Sequence, residues 1–364
     1  RFRSLALSRF KPLSILALAV SGCSIFTPSG GGNGAAPPLG ETTPTGCLTT
    51  PPQHIAPGGF YVNGNTVCTA AGQPHLFHGV DRPSMEWTST GQYLSAADFT
   101  LMATWRINVV RLSLNQDFWL SDSQFYDANY ASLVDSTIGW AETAGLDVIL
   151  DLHWSDQGQI GSCAPNLGCQ QLMADANSIT FWTQVATRYK GDGRVMFELY
   201  NEPHDVAWPV WKNGGATSQG WMAAGMQQMY DAVRATGAEN LVIIGGLNWA
   251  FDLSGVPGNR VDGYNIAYAT HPYAQYPDRA TGTWDHAFGT LTKTDPVIVT
   301  EFGDSPKCDG VYNKELIDYA DVHNAGWTAW AWWAGSCNTP SLIADWSGTP
   351  TMDGQVVKTA LANY

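Results

Sequence analysis

The amino-acid sequence predicts a single α/β domain folded as a (β/α)₈ TIM barrel. Eight short β-rich runs alternate with amphipathic helical stretches, which is typical of consecutive βα units. Hydrophobic residues make up 44% of the 364 residues and charged residues only 14%, so the chain can bury a large core. An open doubly wound sheet is the alternative, although the Gly-rich fingerprint that usually follows its first strand is absent.

Residues 1–22 are typical of a targeting segment. Basic residues in the first eleven positions precede an apolar stretch over 13–20, which is too short to span a bilayer. The stretch ends in the letters VSGC, which resemble a bacterial lipoprotein signal that leaves Cys23 as the lipidated N-terminus. An ordinary secretory signal cut nearby is the alternative. Contact with a membrane is expected only through a lipid anchor at Cys23.

Residues 23–46 are predicted to be a flexible linker. They are rich in Ser, Thr, Gly and Pro and have no apolar periodicity. The linker would hold a folded domain, residues 47–364, away from a membrane surface. We therefore expect export across the inner membrane, with the domain anchored at the bacterial outer membrane or cell surface, or extracellular.

The cysteine content fits an oxidising compartment. The sequence has seven cysteines, and setting Cys23 aside leaves an even number for disulfides. Many connectivities are possible. Nearness in sequence and in the predicted strand order favours three pairs, which are Cys47–Cys68, Cys163–Cys169 and Cys308–Cys337. No pair has CxxC spacing, which argues against a zinc or redox site.

The eight predicted strands occupy positions 76–80, 108–114, 147–153, 195–200, 241–245, 266–271, 297–301 and 327–333. Helices are predicted between them at 96–105, 130–144, 179–189, 221–235, 285–291 and 314–324. Ser95 and Asn313 precede two of these helices and are predicted to cap them. The stretch 251–265, after the fifth strand, offers no clear helix.

Net charge and aromatic content indicate which classes of partner the protein can bind. Lys and Arg number 18 against 32 Asp and Glu, and the net charge of −14 opposes binding to nucleic acid. The chain has 16 Trp, 14 Tyr and 13 Phe, and flat indole faces suit the apolar faces of sugar rings. Burial in the core is the alternative for each Trp. We expect a monomer.

Polar side chains follow nearly every predicted strand. TIM barrels carry their chemistry at the carboxyl ends of the strands, and ionisable groups there are costly without partners. The sequence therefore predicts one shared site. Its candidates are Asp81, Arg82, Arg111, His153, Trp154, Asn201, Glu202, Asn248, Trp249, His271, Tyr273, Glu301, Trp330 and Trp332.

Two carboxylates among these candidates suit glycoside hydrolysis. Glu202 ends the run VMFELYNE and Glu301 ends VIVTE, so both lie at strand ends. A pair of carboxyl groups that flanks a glycosidic bond serves as acid/base and nucleophile. An ion pair with a loop Arg or Lys is the alternative for each residue.

From about Cys47 onward the sequence resembles glycoside hydrolase family 5, a retaining (β/α)₈ family that includes many cellulases. The most specific match is Asn201-Glu202-Pro203, where the resemblance implies that Glu202 is the acid/base and that Asn201 holds the sugar 2-hydroxyl. Glu301 in TEFG matches the family nucleophile. The resemblance implies supporting and substrate-binding roles for Arg111 in VVRLSL, His153 in LDLHW, His271 and Tyr273 in THPY, and Trp330 in GWTAWAW.

The chemistry of the pair sets physical requirements. Arg111 and the Tyr273 hydroxyl would keep Glu301 ionised, whereas Glu202 must begin protonated. A retaining pair requires carboxyl groups about 5 to 5.5 Å apart. One departure is Asp81, which stands where the family commonly shows Asn and so leaves the role of that position open.

Several residues have competing interpretations. Glu198 is predicted to be an interior barrel residue paired with a base, because it lies deeper than the strand end. Asp151, His153 and His271 are of residue types that also bind metals, but no metal and no organic cofactor is expected. Possible sugar-subsite aromatics are Trp87, Trp154, Trp208, Trp211, Trp249 and Trp332.

The sequence thus leads to the expectation of a retaining endo-β-1,4-glucanase that cuts cellulose or mixed-linkage β-glucan by double displacement. An endo-β-mannanase, a xyloglucanase or a β-1,3-glucan-active relative would use the same strand ends. A non-catalytic carbohydrate-binding surface lipoprotein is the alternative from a different class.

Overall fold

Eight parallel strands close into a barrel in the computed structural model, which describes residues 40–156, 170–337 and 339–364. The strands neighbour one another in chain order around the barrel, and the last pairs with the first. This closed topology confirms the predicted (β/α)₈ architecture and excludes the open doubly wound sheet. Within the described residues, no helix is long and apolar enough to cross a bilayer.

The elements are numbered in chain order. Two small antiparallel hairpins lie outside the barrel and comprise β1 (Phe60–Asn63) with β2 (Thr66–Thr69), and β7 (Gly215–Ala216) with β8 (Met222–Ala223). The barrel strands are β3 (His78–Arg82), β4 (Val109–Asn115), β5 (Asp147–Trp154), β6 (Val195–Glu198), β9 (Val242–Gly245), β10 (Ile266–Thr270), β11 (Val297–Val299) and β12 (Gly326–Ala329).

The α-helices are α1 (Ala96–Ala103), α2 (Gln116–Trp119), α3 (Tyr130–Thr143), α4 (Ala176–Tyr189), α5 (Trp208–Asn213), α6 (Met226–Ala235), α7 (Val256–Asn259), α8 (Val311–Val322) and α9 (Met352–Leu361). Short 3₁₀ segments lie at Pro277–Arg279, Thr281–Thr283 and Leu291–Lys293, and a single π-helical turn lies at Asp285–Gly289.

Strand periodicity explains how apolar and charged residues share the barrel interior. Successive side chains of a strand point to opposite faces. Val109 and Ile149 belong to the cluster inside the barrel, whereas their neighbours Val110 and Val148 pack in the larger cluster under the helices. By the same alternation Arg111, two residues after Val109 on β4, points into the barrel. The interior of the barrel is therefore apolar near Val109 and polar toward the carboxyl ends of the strands.

The opposite end of the barrel is closed by the hairpin of β1 and β2. Phe60 and Val67 join the interior cluster, and the disulfide Cys47–Cys68 ties β2 to the chain that precedes the hairpin. Gly59 approaches Gly193 so closely that a Cβ on it would lie 2.7 Å from the Gly193 Cα. The hairpin is thus an N-terminal plug beneath the active face of the barrel.

Two of the three predicted cysteine pairs are disulfides in the structure. Cys47 is bonded to Cys68, and Cys308 is bonded to Cys337. The predicted Cys163–Cys169 pair lies outside the described residues, as does Cys23.

Several helix boundaries differ from the predicted ones. Ser95 caps α1 as expected, because its hydroxyl accepts the amide of Asp98. The predicted cap Asn313 is wrong, because α8 begins earlier, after Gly310, and Asn313 lies buried in its first turn. The helix predicted from position 221 starts five residues later, since the preceding residues form the strand β8. The C-terminal α9 was not predicted.

Candidate active site

Arg111 is the centre of the polar cluster at the carboxyl end of the barrel. It rises from β4 and is fully buried. Its Nε donates to Glu198 Oε2 at 2.6 Å, and its Nη1 lies 2.6 Å from Glu301 Oε1 and 2.9 Å from Asp81 Oδ1. Its Nη2 lies 3.0 Å from Asp151 Oδ2. One guanidinium therefore contacts carboxylates from three further strands and from the residue two positions past β11.

Glu198 is an interior residue paired with a base, as predicted. Burial alone would raise its pKa, but Arg111 and His271 outweigh burial and lower the pKa to about 2. The charge of these carboxylates in turn raises the pKa of Arg111 against the effect of burial. Glu198 thus supplies a permanent negative charge beneath the cavity and does not take part in proton transfer.

Glu301, the sequence-predicted nucleophile, is held on both oxygens. Arg111 donates to its Oε1, and the Tyr273 hydroxyl donates to its Oε2 at 2.6 Å. Burial raises the pKa of a carboxyl, but the charges of His271, Arg111 and His153 and the Tyr273 hydrogen bond lower the pKa of Glu301 overall. The arrangement keeps this carboxylate ionised and fixes the direction in which it points.

Glu202 lies across from Glu301 and is the more exposed of the pair, with 16% of its side chain accessible. Its Oε1 lies 3.1 Å from His271 Nδ1. One oxygen of each carboxylate and a ring nitrogen of His271 all lie within 4.8 Å of one another. The two predicted catalytic carboxylates therefore face one small volume.

The partners of His271 define its protonation. The Thr300 hydroxyl donates to Glu198 Oε1 at 2.9 Å, so it must accept from His271 Nε2, which lies 2.9 Å from it. Burial lowers the pKa of His271, but the nearby carboxylates of Glu301, Glu198 and Glu202 raise it to about 10. The second ring nitrogen, Nδ1, faces Glu202 Oε1, so the raised pKa of His271 places a proton in that contact.

His153 and Asn201 complete the floor of the cavity. His153 Nδ1 lies 2.6 Å from Asp151 Oδ2, and burial is outweighed by this carboxylate, which raises the pKa of His153 to about 9. Asn201 Oδ1 accepts from Arg111 Nη2 at 2.7 Å, which turns its amide nitrogen toward His153 Nε2 at 3.4 Å. Asn201 is thereby oriented next to Glu202.

Asp81, where the family resemblance departs, lies in surroundings that favour its neutral form. It is fully buried, and burial raises its pKa well above the usual range despite the contact with Arg111. A protonated carboxyl is close to an asparagine amide in shape and charge. The position is therefore compatible with the family pattern in spite of the different residue.

The cavity above these residues has a volume of about 330 Å³. Trp330 stands at one side, where its ring lies parallel to that of His153 at 5.9 Å. Trp249 stands in a different wall, stacks on His204 at 3.6 Å and is 38% exposed. The lining residues are His153, Asn201, Glu202, Trp249, Tyr273, Gln275, Tyr276, Arg279, Glu301, Trp330, Thr339 and Pro340.

Two of the proposed subsite aromatics are wrong. Trp211 and Trp332 are fully buried, and their indole N–H groups donate to the Gly245 carbonyl and to Asp98. Trp208 packs against Trp211 and Gly255. Trp154 is nearly buried and supports the half-buried Trp87. Trp211 and Trp332 fill the shell of the barrel, and their position in the sequence alone does not distinguish them from exposed indoles.

Five residues that line the cavity were not predicted. Gln275, Tyr276 and Arg279 follow β10, and Thr339 and Pro340 follow β12. Arg279 is buried and donates to the carbonyls of His271 and Asn248, so it ties two loops of the cavity together. The aromatic Tyr276, three residues after Tyr273, was the available signal.

Comparison with known proteins shows the family to which this chain belongs. The family model described as cellulase (glycosyl hydrolase family 5) matches residues 68–336. Endoglucanase E-5 from Thermobifida fusca is 25% identical over 326 residues, which cover 84% of this chain and 64% of that protein. Endoglucanase N from Pectobacterium atrosepticum is 24% identical over 260 residues, covering 70% of this chain and 52% of that protein. The chain thus spans about half to two thirds of these relatives.

Solved structures show the same fold. A β-glucanase from Saccharophagus degradans superposes with a TM-score of 0.67 at 23% identity, covering 90% of this chain and 98% of that one, and it has also been solved in complex with cellotetraose. Because the family model covers well over half of the sequence and the barrel brings its two carboxylates together, the chain belongs to glycosyl hydrolase family 5.

Proposed function

We propose that the protein is a retaining endo-β-1,4-glucanase that acts on cellulose or mixed-linkage β-glucan. The observation that carries the proposal is the pair Glu202 and Glu301, which have oxygens within 4.8 Å of each other and have different surroundings. This closeness supports retention, because inverting pairs stand about 6.5 to 9.5 Å apart to admit a water. The endoglucanase names of the relatives and the cellotetraose complex of the β-glucanase support the substrate class.

In the proposed first step, ionised Glu301 attacks the anomeric carbon and forms a glycosyl–enzyme ester. Glu202 gives its proton to the leaving oxygen, so the glycosidic bond breaks as the new C–O bond forms. Arg111 and Tyr273 hold the attacking carboxylate in place. In the second step Glu202 takes a proton from water, which attacks the same carbon and releases Glu301.

His271 is proposed to hold the proton that Glu202 needs. Since Nε2–H is committed to Thr300, the contact between His271 Nδ1 and Glu202 Oε1 contains one proton, carried by either atom. The raised pKa of His271 means that this proton stays in the pair up to alkaline pH. After the ester forms, the charge of Glu301 is lost, and Glu202 can act as a base.

Two aromatic residues from separate parts of the barrel support attack within a chain. Trp330 follows β12 and Trp249 follows β9, and both line the cavity and offer indole faces on which sugar rings can stack. Mannan, xyloglucan and β-1,3-glucan remain the competing substrates, since the same strand ends would serve them. The non-catalytic alternative is disfavoured by the ionised, doubly hydrogen-bonded Glu301.

Substrate choice is tested by measuring reducing ends released from carboxymethyl-cellulose, barley β-glucan, xyloglucan and galactomannan. We expect release from the first two. Glu301→Gln should reduce the rate by about a thousandfold or more while polysaccharide binding is retained, because it removes the nucleophile and keeps the shape. The exposed Glu315→Gln is the matched control. Cleavage of galactomannan alone would replace the substrate, and full activity of Glu301→Gln would overturn the nucleophile assignment.

Stereochemistry is tested with Glu202→Ala and an aryl β-cellobioside, whose leaving group needs little acid assistance. Added azide should accelerate turnover and yield a β-glycosyl azide, because it attacks the ester from the face that Glu202 normally serves. The anomeric configuration is read by NMR. An α-azide would show single inversion and contradict the double displacement.

The role of Thr300 is tested by the pH dependence of kcat/KM. In Thr300→Val, His271 Nε2–H loses its acceptor, so the pKa of His271 should fall and the alkaline limb should move to lower pH by about one unit. Thr300→Ser keeps the hydroxyl and should leave the alkaline limb of the kcat/KM profile at its original pH. The control Thr270→Val removes a buried hydroxyl that donates to the Phe251 carbonyl. An alkaline limb that is unchanged in Thr300→Val would exclude this proton-holding role.

We also propose that the protein is exported and lipid-anchored through Cys23. The disulfides Cys47–Cys68 and Cys308–Cys337 support an oxidising compartment. In a bacterial host, mass spectrometry should find a diacylglyceryl group on Cys23, and Cys23→Ser should move the protein from the membrane to the soluble fraction. Ser29→Ala, in the predicted linker, should stay with the membrane. An unmodified Cys23 would refute the anchor.

A further inference from the structure

Three aromatic side chains form an exposed patch on the active face, outside the cavity. Tyr93 lies in the loop between β3 and α1, and Trp333 and Trp346 lie in the segment between β12 and α9. Because β12 pairs with β3, these two loops are neighbours at the carboxyl ends of their strands. The three residues are called the distal platform below.

The rings of the distal platform contact one another. Tyr93 stacks on Trp346 with a centroid distance of 4.7 Å, and Trp333 meets Trp346 edge-on at 5.1 Å. Tyr93 is 66% exposed, and both tryptophans are half-buried. Core packing does not account for an aromatic ring as accessible as that of Tyr93.

A buried cation supports the platform from below. The Arg82 guanidinium carbon lies 5.0 Å from the Trp346 ring centre and 5.7 Å from that of Trp333. Arg82 is fully buried, and Asp98 and the Gln92 carbonyl fix its orientation. Cation–π contacts from beneath hold the indoles in place. This assigns a role to a strand-end arginine that the catalytic cavity does not use.

The backbone also presents Tyr93 at the surface. Its φ of 58° lies in the left-handed region, which is uncommon for a residue other than glycine. Such a conformation costs free energy and persists only where the surrounding structure enforces it. The loop therefore holds the tyrosine ring in one position over Trp346.

Aromatic contacts connect the distal platform with the cavity. Trp333 meets Trp87 at 5.3 Å, and Trp87 packs against Trp154. Trp154 lies 6.4 Å from His153, which in turn stacks on Trp330 in the cavity wall. Packing contacts between aromatic rings thus join the distal platform to the wall of the cavity.

We propose that the distal platform is a sugar subsite, which binds a unit of the same β-glucan chain several residues away from the bond that is cut. This proposal rests on the proposed function. The cation lies beneath the rings, and the chain carries a net charge of −14, so the surface suits a neutral glycan better than a polyanion. Continuity with the cavity favours a glucan chain over a protein partner.

The test is calorimetric binding of cellotriose and cellohexaose to the Glu301→Gln protein. Adding Tyr93→Ala should weaken cellohexaose binding about 3- to 10-fold, the factor that corresponds to one lost aromatic contact, and should change cellotriose binding less than about twofold. Trp346→Ala should act in the same direction, whereas Tyr93→Phe should keep parental binding because the ring face remains.

Tyr264→Ala is the matched control, since Tyr264 is also exposed over an arginine, Arg234, but lies before β10 at the opposite end of the barrel. It should bind both sugars as the parent does. Equal weakening of both sugars by Tyr93→Ala, or no weakening, would overturn the subsite while leaving the proposed function intact. If the Glu301→Gln protein bound neither sugar and the unsubstituted protein hydrolysed no β-glucan, both the subsite and the proposed function would be overturned.

Discussion

The site depends on one buried guanidinium. Arg111 contacts Asp81, Asp151, Glu198 and Glu301, which belong to or follow four different strands. Removing one partner from a buried ionic group costs several kcal/mol, because the remaining charges lose their compensation. Here the loss of the cation would leave a ring of carboxylates inside the barrel. The contacts that orient the proposed nucleophile are therefore the contacts that hold the carboxyl end of the barrel together.

Charge balance follows from this centre. Arg111 contacts Asp151, Glu198 and Glu301, and nearby carboxylates raise the pKa values of His153 and His271, while burial raises the pKa of Asp81. The proposed nucleophile and acid lie a few ångströms apart and have different side-chain partners. Among the described residues, Glu301 accepts from Arg111 and Tyr273, whereas Glu202 contacts His271. Two chemically identical carboxyl groups thus differ in the hydrogen-bond partners that the protein gives them.

The sequence was sufficient for features that depend on strand periodicity. The eight strands, the inward direction of Glu198 and the meeting of Glu202 with Glu301 follow from alternation and from polar strand ends. Burial of individual indoles was not predictable in this way. The predicted eighth strand placed Trp330 and Trp332 on one face, but β12 ends at Ala329, and Trp332 is buried and donates to Asp98 on α1. Only the packing of helices on the barrel decides between them.

Features set by loop conformation were also beyond the sequence. Asn248, Trp249 and Ala250 have φ values of 54°, 59° and 57°, and Tyr93 has 58°. No local pattern of residue types requires left-handed backbone at these places, since glycine is absent from all of them. The conformations are tolerated because each loop is anchored at one end by a barrel strand and at the other by a helix.

These strained loops have a shared consequence for the cleft. Trp249 and Tyr93 belong to loops that follow β9 and β3, and each carries an exposed ring that stacks on a fixed neighbour, His204 or Trp346. A side chain held in this way loses little conformational entropy when a ligand arrives. The free-energy cost of the left-handed loop residues is met when the barrel folds, before any ligand binds. Sugar rings would meet surfaces that are already ordered, and binding energy remains available for distortion at the scissile bond.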